Sequence, residues 1–349
     1  MIDNNQSDFY KITDFENLYA AYKRSKSGKG HAISKVKFQL CALDGILQIK
    51  NQLESKQFQV SKYHSFKIYE PKERIIEAGS FKDKIVQHSI CDNVLLPQLA
   101  SEFILTNYAG QDNKGTRFGL DCLKAQMLLA YNKYGYNCWI IKADVRKYFY
   151  SIDLSLLKDI ARYFIKDDEV YWLCEQFING KDVGLPLGNQ ISLVFALLYL
   201  SGLDHFVTGE LGVKYYGRFS DDFYMIVEKR KYAEYCLEAI TEFTRSLNLE
   251  LNGKTQIIPF KNGIKFCGFH TYVTRDGKCI QKLLNEKKRS AKKKYKKMAR
   301  LVKQGKMTRE YFDESYRSWK DHISYGNCVK FGYEMDRYIE KLFEEENTG

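Results

Sequence analysis

Lys214-Tyr215-Tyr216-Gly217-Arg218-Phe219-Ser220-Asp221-Asp222-Phe223-Tyr224-Met225-Ile226-Val227 sets two runs of strand-forming residues on either side of a Ser-Asp-Asp tip. Such runs around a short polar tip read as a β-hairpin. Two neighbouring carboxylates on a tight turn repel each other unless a cation lies between them. Mg²⁺ meets that need, because it takes hard oxygen ligands and is commonly held by one or two carboxylates plus substrate phosphates. A solvated turn explains the pair too, since Asp is common in turns. Asp167-Asp168 has the same form and reads as an ordinary helix start. The hairpin therefore decides the fold only in company: with a third carboxylate, a nucleotide pocket and a nucleic-acid track.

The third carboxylate stands on a strand. Asn137-Cys138-Trp139-Ile140-Ile141-Lys142-Ala143-Asp144 is largely apolar and ends in Asp144, then continues past Phe149 to Asp153 and a helix over about 154–165. Further on, Gly184-Leu185-Pro186-Leu187-Gly188-Asn189-Gln190-Ile191-Ser192 precedes a long apolar helix ending near 206. Its glycines let the backbone approach a flat ligand, and Asn189, Gln190 and Ser192 are placed to touch a base or sugar. Gly and Pro also serve simply to end one element and start the next. Alternation around Pro71, from Phe66 to Glu77, reads as two short strands meeting at a turn. Lys72 and Arg74 share a face there and can grip a triphosphate, Arg bidentately; alone they read first as a charged, solvated edge strand. The Gly-rich stretch 108–117 carries Lys114 and Gly115 ahead of a helix from about 118. Its amides and Lys114 can track phosphates, and a plain loop fits equally well. The basic loop 25–31 lacks the strand-to-helix context of a phosphate-binding loop. Helices are expected over about 15–22, 36–52, 81–99 and 232–247, with a second hairpin over 263–270.

The 349 residues carry a net charge of +12, with 44% hydrophobic and 28% charged residues. That composition excludes a disordered chain and points to a polyanionic partner, nucleic acid first and an anionic membrane second. The charge concentrates: residues 285–306 hold eleven Lys or Arg and one acidic residue. Ala291, Tyr295, Met298 and Leu301 repeat there at helical spacing, so an amphipathic helix is expected with its basic side turned to a phosphate backbone. Neither this helix, which lacks Trp and Phe on its apolar stripe, nor the interrupted apolar run 191–203 is expected to engage a membrane. Nine cysteines without a Cys-x-x-Cys pair, and an N-terminus without a basic and apolar leader, give the expectation of a reducing cytoplasm and no structural zinc.

The order of these motifs resembles that of a right-hand polymerase, and specifically of reverse transcriptases. The resemblance rests on Ala143-Asp144 through Phe149, Gly184-Leu185-Pro186-Leu187-Gly188 through Ser192, Phe219-Ser220-Asp221-Asp222, 249–254 and Phe266-Cys267-Gly268. Within the family the chain looks closest to bacterial retroelement enzymes, particularly those of diversity-generating retroelements, with group II intron-like organisation. Phe81-Lys82-Asp83-Lys84-Ile85-Val86-Gln87-His88, Lys114-Gly115-Thr116, Leu187-Gly188-Asn189 and Ser318-Trp319-Lys320-Asp321-His322 carry that likeness. Phe219 stands where those enzymes usually have Tyr, and Leu193 where they have Gln. Defence-associated bacterial reverse transcriptases share the layout and tolerate such departures.

The resemblance implies an α+β fold with fingers, an antiparallel palm sheet plus helices, and a helical thumb. It divides the chain into an N-terminal region and fingers (1–136), a palm with part of the fingers (137–272, helical at about 154–180) and a basic helical thumb (273–349). Asp144, Asp221 and Asp222 would hold two Mg²⁺ ions, and Lys254 would protonate the leaving pyrophosphate. Lys72 and Arg74 would hold the triphosphate of a deoxynucleotide, Phe149 would exclude a ribose 2′-hydroxyl, and Leu187, Gly188 and Asn189 would line the base pocket. Lys114, Gly115, Lys288, Arg289, Lys292, Lys293 and Lys296 would track nucleic acid. The implied partners are an RNA template, a primer, the cDNA product, dNTPs and a small basic accessory protein, in a bacterial cytoplasm. A nucleic-acid-binding protein that keeps the fold without catalysis is the remaining alternative.

Overall fold

A computed structural model describes residues 7–26, 33–69, 73–178 and 183–344. Among them the β-branched and aromatic runs form β1 (His64–Ile68), β2 (Arg74–Ala78), β3 (Trp139–Asp144), β4 (Tyr215–Phe219), β5 (Asp222–Val227), β6 (Gln256–Pro259), β7 (Ile264–Phe266), β8 (Phe269–Val273) and β9 (Cys279–Leu283). They pair into three sheets, β1-β2, β4-β5-β3-β6 and β7-β8-β9, in which every strand pair is antiparallel. Antiparallel sheets combined with helical layers make the fold α+β, as expected. The chain folds as two units, each assembled from three segments. One contains Met1–Leu105, Val145–Glu210 and Ile240–Gly253; the other contains Thr106–Asp144, Leu211–Ala239 and Lys254–Gly349.

The first unit is mostly helical. Phe15–Lys26 occupies the first helical window, and Ile33–Leu40 and Ala42–Glu54 divide the second, expected as one helix. From Phe81 the chain stays helical to Leu99, widening to a π turn at Cys91–Leu95. Ser80 and Asp83 close a capping box at its start, each satisfying the other's backbone N–H. Leu154–Phe164 follows an Asp153 cap, and Asp168–Ile178 follows an Asp167 cap whose carboxylate accepts from Glu169 N and Val170 N. That is the helix-start reading of the Asp167-Asp168 pair. The apolar run extends further than its composition implies: Gln190–Glu210 has the length and apolarity of a membrane span, but 72% of its apolar window is buried inside the protein. It forms a central buried helix of this unit.

The second unit is organised on the four-stranded sheet. Alternation on β3 sends Ile140, Lys142 and Asp144 to one face and Trp139, Ile141 and Ala143 to the other. On the first face, Ile140, Tyr224 and Ile226 join a core with Tyr108, Leu123, Met127, Phe260, Ile264 and Phe266. Gly217 on β4 is required there, because a Cβ would lie 2.3 Å from the Tyr108 hydroxyl and 2.7 Å from that of Tyr224. The β7-β8 hairpin turns through Cys267 (φ 47°) and Gly268 (φ 85°), the two positive φ values of a type I′ turn. Asn285–Lys303, Arg309–Ile323 and Val329–Glu344 then pack as three helices around Tyr295, Met298, Phe312, Phe331, Met335 and Ile339. The expected stripe is buried at Ala291, Tyr295 and Met298, with Ala299 completing it and Leu301 half-buried. Burying each large side chain here contributes about 1.5–3 kcal/mol, and the Tyr295 hydroxyl is satisfied by Ser315 O at 2.9 Å.

Candidate active site

In the second unit, β5 lies between β4 and β3, and the register places Asp222 directly opposite Asp144. Residues opposite each other on an antiparallel pair have Cβ atoms about 4.5–5.5 Å apart, and like charges in that relation are destabilising. Asp221 is the second residue of the two-residue turn joining Phe219 to Asp222. The first, Ser220, holds φ 59°, a conformation in which a non-glycine residue is strained by roughly 1–2 kcal/mol. The strain is held in place from below. Arg218, 0% exposed, donates from Nη1 to Ser220 O at 2.9 Å. Its own N donates to Thr106 O at 2.9 Å and its O accepts from Tyr108 N at 2.8 Å. A buried guanidinium and two backbone bonds thus fix the turn that presents Asp221. Sequence reading assigned no role to Arg218, although a lone arginine inside an apolar hairpin is a readable signal.

Lys142 is a second residue that sequence reading left without a role. It lies two positions before Asp144 on the same face of β3, diagonal to Asp222, and forms an ion pair with Asp222. Its side chain is 15% exposed, that of Asp222 33%. Nζ stands 5.3 Å from the centroid of the Phe266 ring. Burial pushes the ammonium down to about 8, against the opposing pull of Asp144, then of Cys267 and Asp221. The signal was its period-two relation to Asp144 in an otherwise apolar strand. Among the described residues no three His, Cys, Asp or Glu side chains close into a metal-ligating group. The chemistry of the donors nevertheless suits Mg²⁺: three aspartates, with hard carboxylate oxygens, are carried at one strand end. Asp222 Oδ1 is buried without a hydrogen-bond donor of regular geometry, and Lys142 is the cation paired with it. Lys254 is exposed and lies two residues before Gln256, the β6 partner of Lys142.

The first unit gathers most of the expected nucleotide residues. Leu185 N donates to Phe149 O at 2.7 Å, and Gly184 N to Ile152 O at 2.9 Å. The turn then attaches to β2 through Glu77 N, which donates to Leu187 O at 2.9 Å. Gly188 adopts φ 109°, and a Cβ there would stand 2.9 Å from Ile76 Cγ2. Gln87, 2% exposed, secures the far side: its Nε2 donates to Asn189 Oδ1 at 3.3 Å and its Oε1 accepts from Gln190 N at 3.1 Å. Phe149, Leu187, Gly188 and Asn189 are thereby brought together with β2, of which Arg74 is the exposed first residue. Lys72 lies outside the described residues. Gln87 had no assigned role, although it falls inside the 81–88 stretch.

The expected nucleic-acid residues divide. Lys114 Nζ donates to Gln111 Oε1 at 2.9 Å, and Gly115 (φ 125°) precedes the Thr116–Tyr134 helix with open space where a Cβ would stand. On the basic helix, Lys288 and Lys292 lie 5.0 and 5.9 Å from the Phe331 ring. Lys293 and Lys296 instead line a groove of about 430 Å³ with Lys297, Arg300 and Lys303. Arg289 is exposed, and lines another groove with Lys265, Lys282 and Lys288.

Comparison with known proteins identifies the family and the fold. Residues 70–271 match the reverse transcriptase (RNA-dependent DNA polymerase) family. Over 216 residues the chain is 27% identical to a COX1/OXI3 intron 2 protein of Saccharomyces cerevisiae, an alignment covering 56% of this chain and 24% of the yeast protein. The chain thus spans about a quarter of that relative. Among solved structures it is similar to telomerase from Candida albicans in complex with the TWJ fragment of telomeric RNA. The TM-score is 0.50 and the identity 13%, over 88% of this chain and 66% of that one. Apo telomerase from Candida tropicalis gives 0.47 at 14% identity, over 61% and 47%. The likeness at 0.50 and the family match together establish the polymerase fold expected from the motif order.

Proposed function

The chain belongs to the reverse transcriptase (RNA-dependent DNA polymerase) family, and on that premise we propose that it extends a primer with deoxynucleotides on an RNA template. The observation that carries the proposal is the β3-β5 register, which sets Asp144 opposite Asp222 with Asp221 on the adjoining turn. Mg²⁺ held by these three carboxylates would supply charge for activating the primer 3′-hydroxyl and stabilising pyrophosphate. Arg74 and Lys72 bind the triphosphate and offset its charge. Phe149, anchored through its carbonyl to Leu185 N, fills the space a ribose 2′-hydroxyl would need. Lys254 donates a proton to the departing pyrophosphate. The basic face at 288–296, with Lys114 and Gly115, follows the sugar-phosphate backbone.

The finer reading is an enzyme of a bacterial diversity-generating retroelement, acting in the cytoplasm with a small basic accessory protein and copying with frequent errors. Support comes from the stretches 81–88, 114–116, 187–189 and 318–322. Phe219 in place of Tyr favours a second reading, a defence reverse transcriptase using a dedicated non-coding RNA.

The test is primer extension on an RNA template with dNTPs and Mg²⁺. Asp144→Ala and Asp222→Ala should each abolish incorporation; activity surviving in both would falsify the carboxylate assignment. A wild-type protein inert on every primer and template tried would leave the non-catalytic nucleic-acid-binding alternative. Sequencing RNA that co-purifies with the protein separates the finer readings. A repeat-derived template copied with substitutions at adenine marks the first, and a single dedicated non-coding RNA the second.

A further inference from the structure

We propose that Lys142 is a built-in counter-cation of the carboxylate cluster, which competes with divalent metal for Asp222 and so sets the metal affinity of the site. The inference rests on the assignment of Asp144, Asp221 and Asp222 as metal ligands. Three carboxylates at one strand end repel each other, and the β3-β5 register leaves Asp144 and Asp222 no freedom to part. The charge that relieves them is supplied by the chain. Lys142 shares the face of Asp144 and Asp222 and is ion-paired with the latter.

Its position is not that of a solubilising surface lysine. The side chain is largely buried, Phe266 flanks it at 5.3 Å, and Ile140, next along the same face, is fully buried. An ammonium in such surroundings is stabilised by its partner carboxylate. Asp222 Oδ1, in turn, lacks any hydrogen-bond donor of regular geometry and relies on that cation.

A divalent ion that takes Asp222 as ligand therefore displaces a charge already present. The four-carbon stem of Lys142 lets the ammonium withdraw, and the Phe266 ring, within the roughly 6 Å reach of a cation–π contact, receives it. Metal binding is then an exchange of one cation for another. It is weaker than three carboxylates alone would give, and the repulsion within the metal-free cluster is offset.

The test uses the full chain without nucleotide or nucleic acid, at one fixed pH. Mn²⁺ binding is measured by the loss of the free-ion electron paramagnetic resonance signal, and thermal unfolding is followed with and without Mn²⁺. Lys142→Met should bind Mn²⁺ at least about tenfold more tightly than wild type, roughly 1.4 kcal/mol. It should also melt lower without metal and gain more from metal. Lys142→Arg, which pairs carboxylates bidentately, should bind Mn²⁺ more weakly than wild type. Asp222→Asn reports whether the measured site is the carboxylate cluster, and should lose binding. Unchanged or weaker Mn²⁺ binding in folded Lys142→Met overturns the proposal; if that variant does not fold, binding by Lys142→Arg equal to or tighter than wild type overturns it. The polymerase reading fails separately: wild type inactive in primer extension but showing these binding shifts would remove the reaction and leave the counter-cation.

Discussion

Replacing Gly188 with alanine adds one methyl group, and the structure says what that group meets. Gly188 holds φ 109°, and the new Cβ would lie 2.9 Å from Ile76 Cγ2. Two penalties follow. A non-glycine residue in this backbone region is strained by about 1–3 kcal/mol. Crowding a methyl against a β-branched side chain, whose χ1 is stiff, adds about 1–3 kcal/mol. Because both act at one residue they are not strictly additive, so a loss of about 2–5 kcal/mol is expected if the turn stays on β2. The alternative relief is for the turn to lift away, which breaks the Glu77 N to Leu187 O bond of 2.9 Å, worth about 1 kcal/mol net. In that case global stability changes little, and the displaced Leu187-Gly188-Asn189 backbone raises the KM for dNTP.

Urea denaturation and steady-state primer extension together distinguish the two outcomes. A second substitution isolates the steric part. Ile76→Ala removes Cγ2 and should recover about 1–3 kcal/mol of the Gly188→Ala loss. Ile76→Val keeps Cγ2 and should recover almost none. Gly188→Ala with stability within about 0.5 kcal/mol of wild type and an unchanged KM would refute the reasoning. Equal rescue by Ile76→Val and Ile76→Ala would refute the steric half.

Leu187→Gln adds a hydrogen-bonding group beside the proposed base pocket, where the apolar Leu187 would leave pairing loose and copying error-prone. At about 0.5–1.5 kcal/mol for a net hydrogen bond, misincorporation in sequenced cDNA should fall by roughly 2- to 10-fold; identical error spectra would sink the idea. Arg218→Gln removes the buried charge that donates to Ser220 O, and loss of a charged hydrogen bond is worth about 1.5–3 kcal/mol. Denaturation should show that loss and kinetics should show kcat falling more than the dNTP KM rises, with partial rescue by Arg218→Lys. Asp153→Ala removes the cap that accepts from Ser155 N and Leu156 N, destabilising by about 0.5–2 kcal/mol. The Leu156 N–H, then the Asn248 side chain, hold the Asp153 carboxyl below its ordinary value. Its contribution is therefore full above the unfolded value of about 3.9 and lost as pH falls through the lower folded value. Urea midpoints of wild type and Asp153→Ala should stay apart at neutral pH and converge only well into acid.

The fold was most legible where local chemistry decides it. The Asp-Asp hairpin, the strand ending in Asp144 and the amphipathic basic helix all formed where period two or period 3.6 placed them. Several elements were not legible, the following two among them. β9 (Cys279–Leu283) is short, follows Gly277, and owes its place to pairing with β8. Val329–Glu344 is amphipathic through Phe331, Met335 and Ile339, but the dense charge before it dominated that part of the sequence. The apolar run beginning at 190 shows the opposite limit: its composition marks burial, but not that the helical path continues by wide turns to Glu210.

The candidate site was legible as a set of residues and illegible as a set of pairs. Each aspartate announces itself locally, by its turn or its strand end. That Asp222 faces Asp144 depends on strand order and register, both of which are non-local. Once register is set, the roles of neighbours follow without further information. Two residues back from Asp144, Lys142 must share the face of Asp222, and its charge becomes the partner of that carboxylate. Beneath the same turn, Arg218 must enter the interior, and the Ser220 carbonyl becomes the acceptor that makes its burial tolerable. Both were visible as charged residues in apolar strands, the pattern that a purely local reading treats as an exception. In a strand buried on both faces, such an exception is stable only if a partner of opposite charge or an acceptor lies within reach. The lone cation in an apolar strand is therefore the sequence feature that points to the carboxylate cluster from the other side.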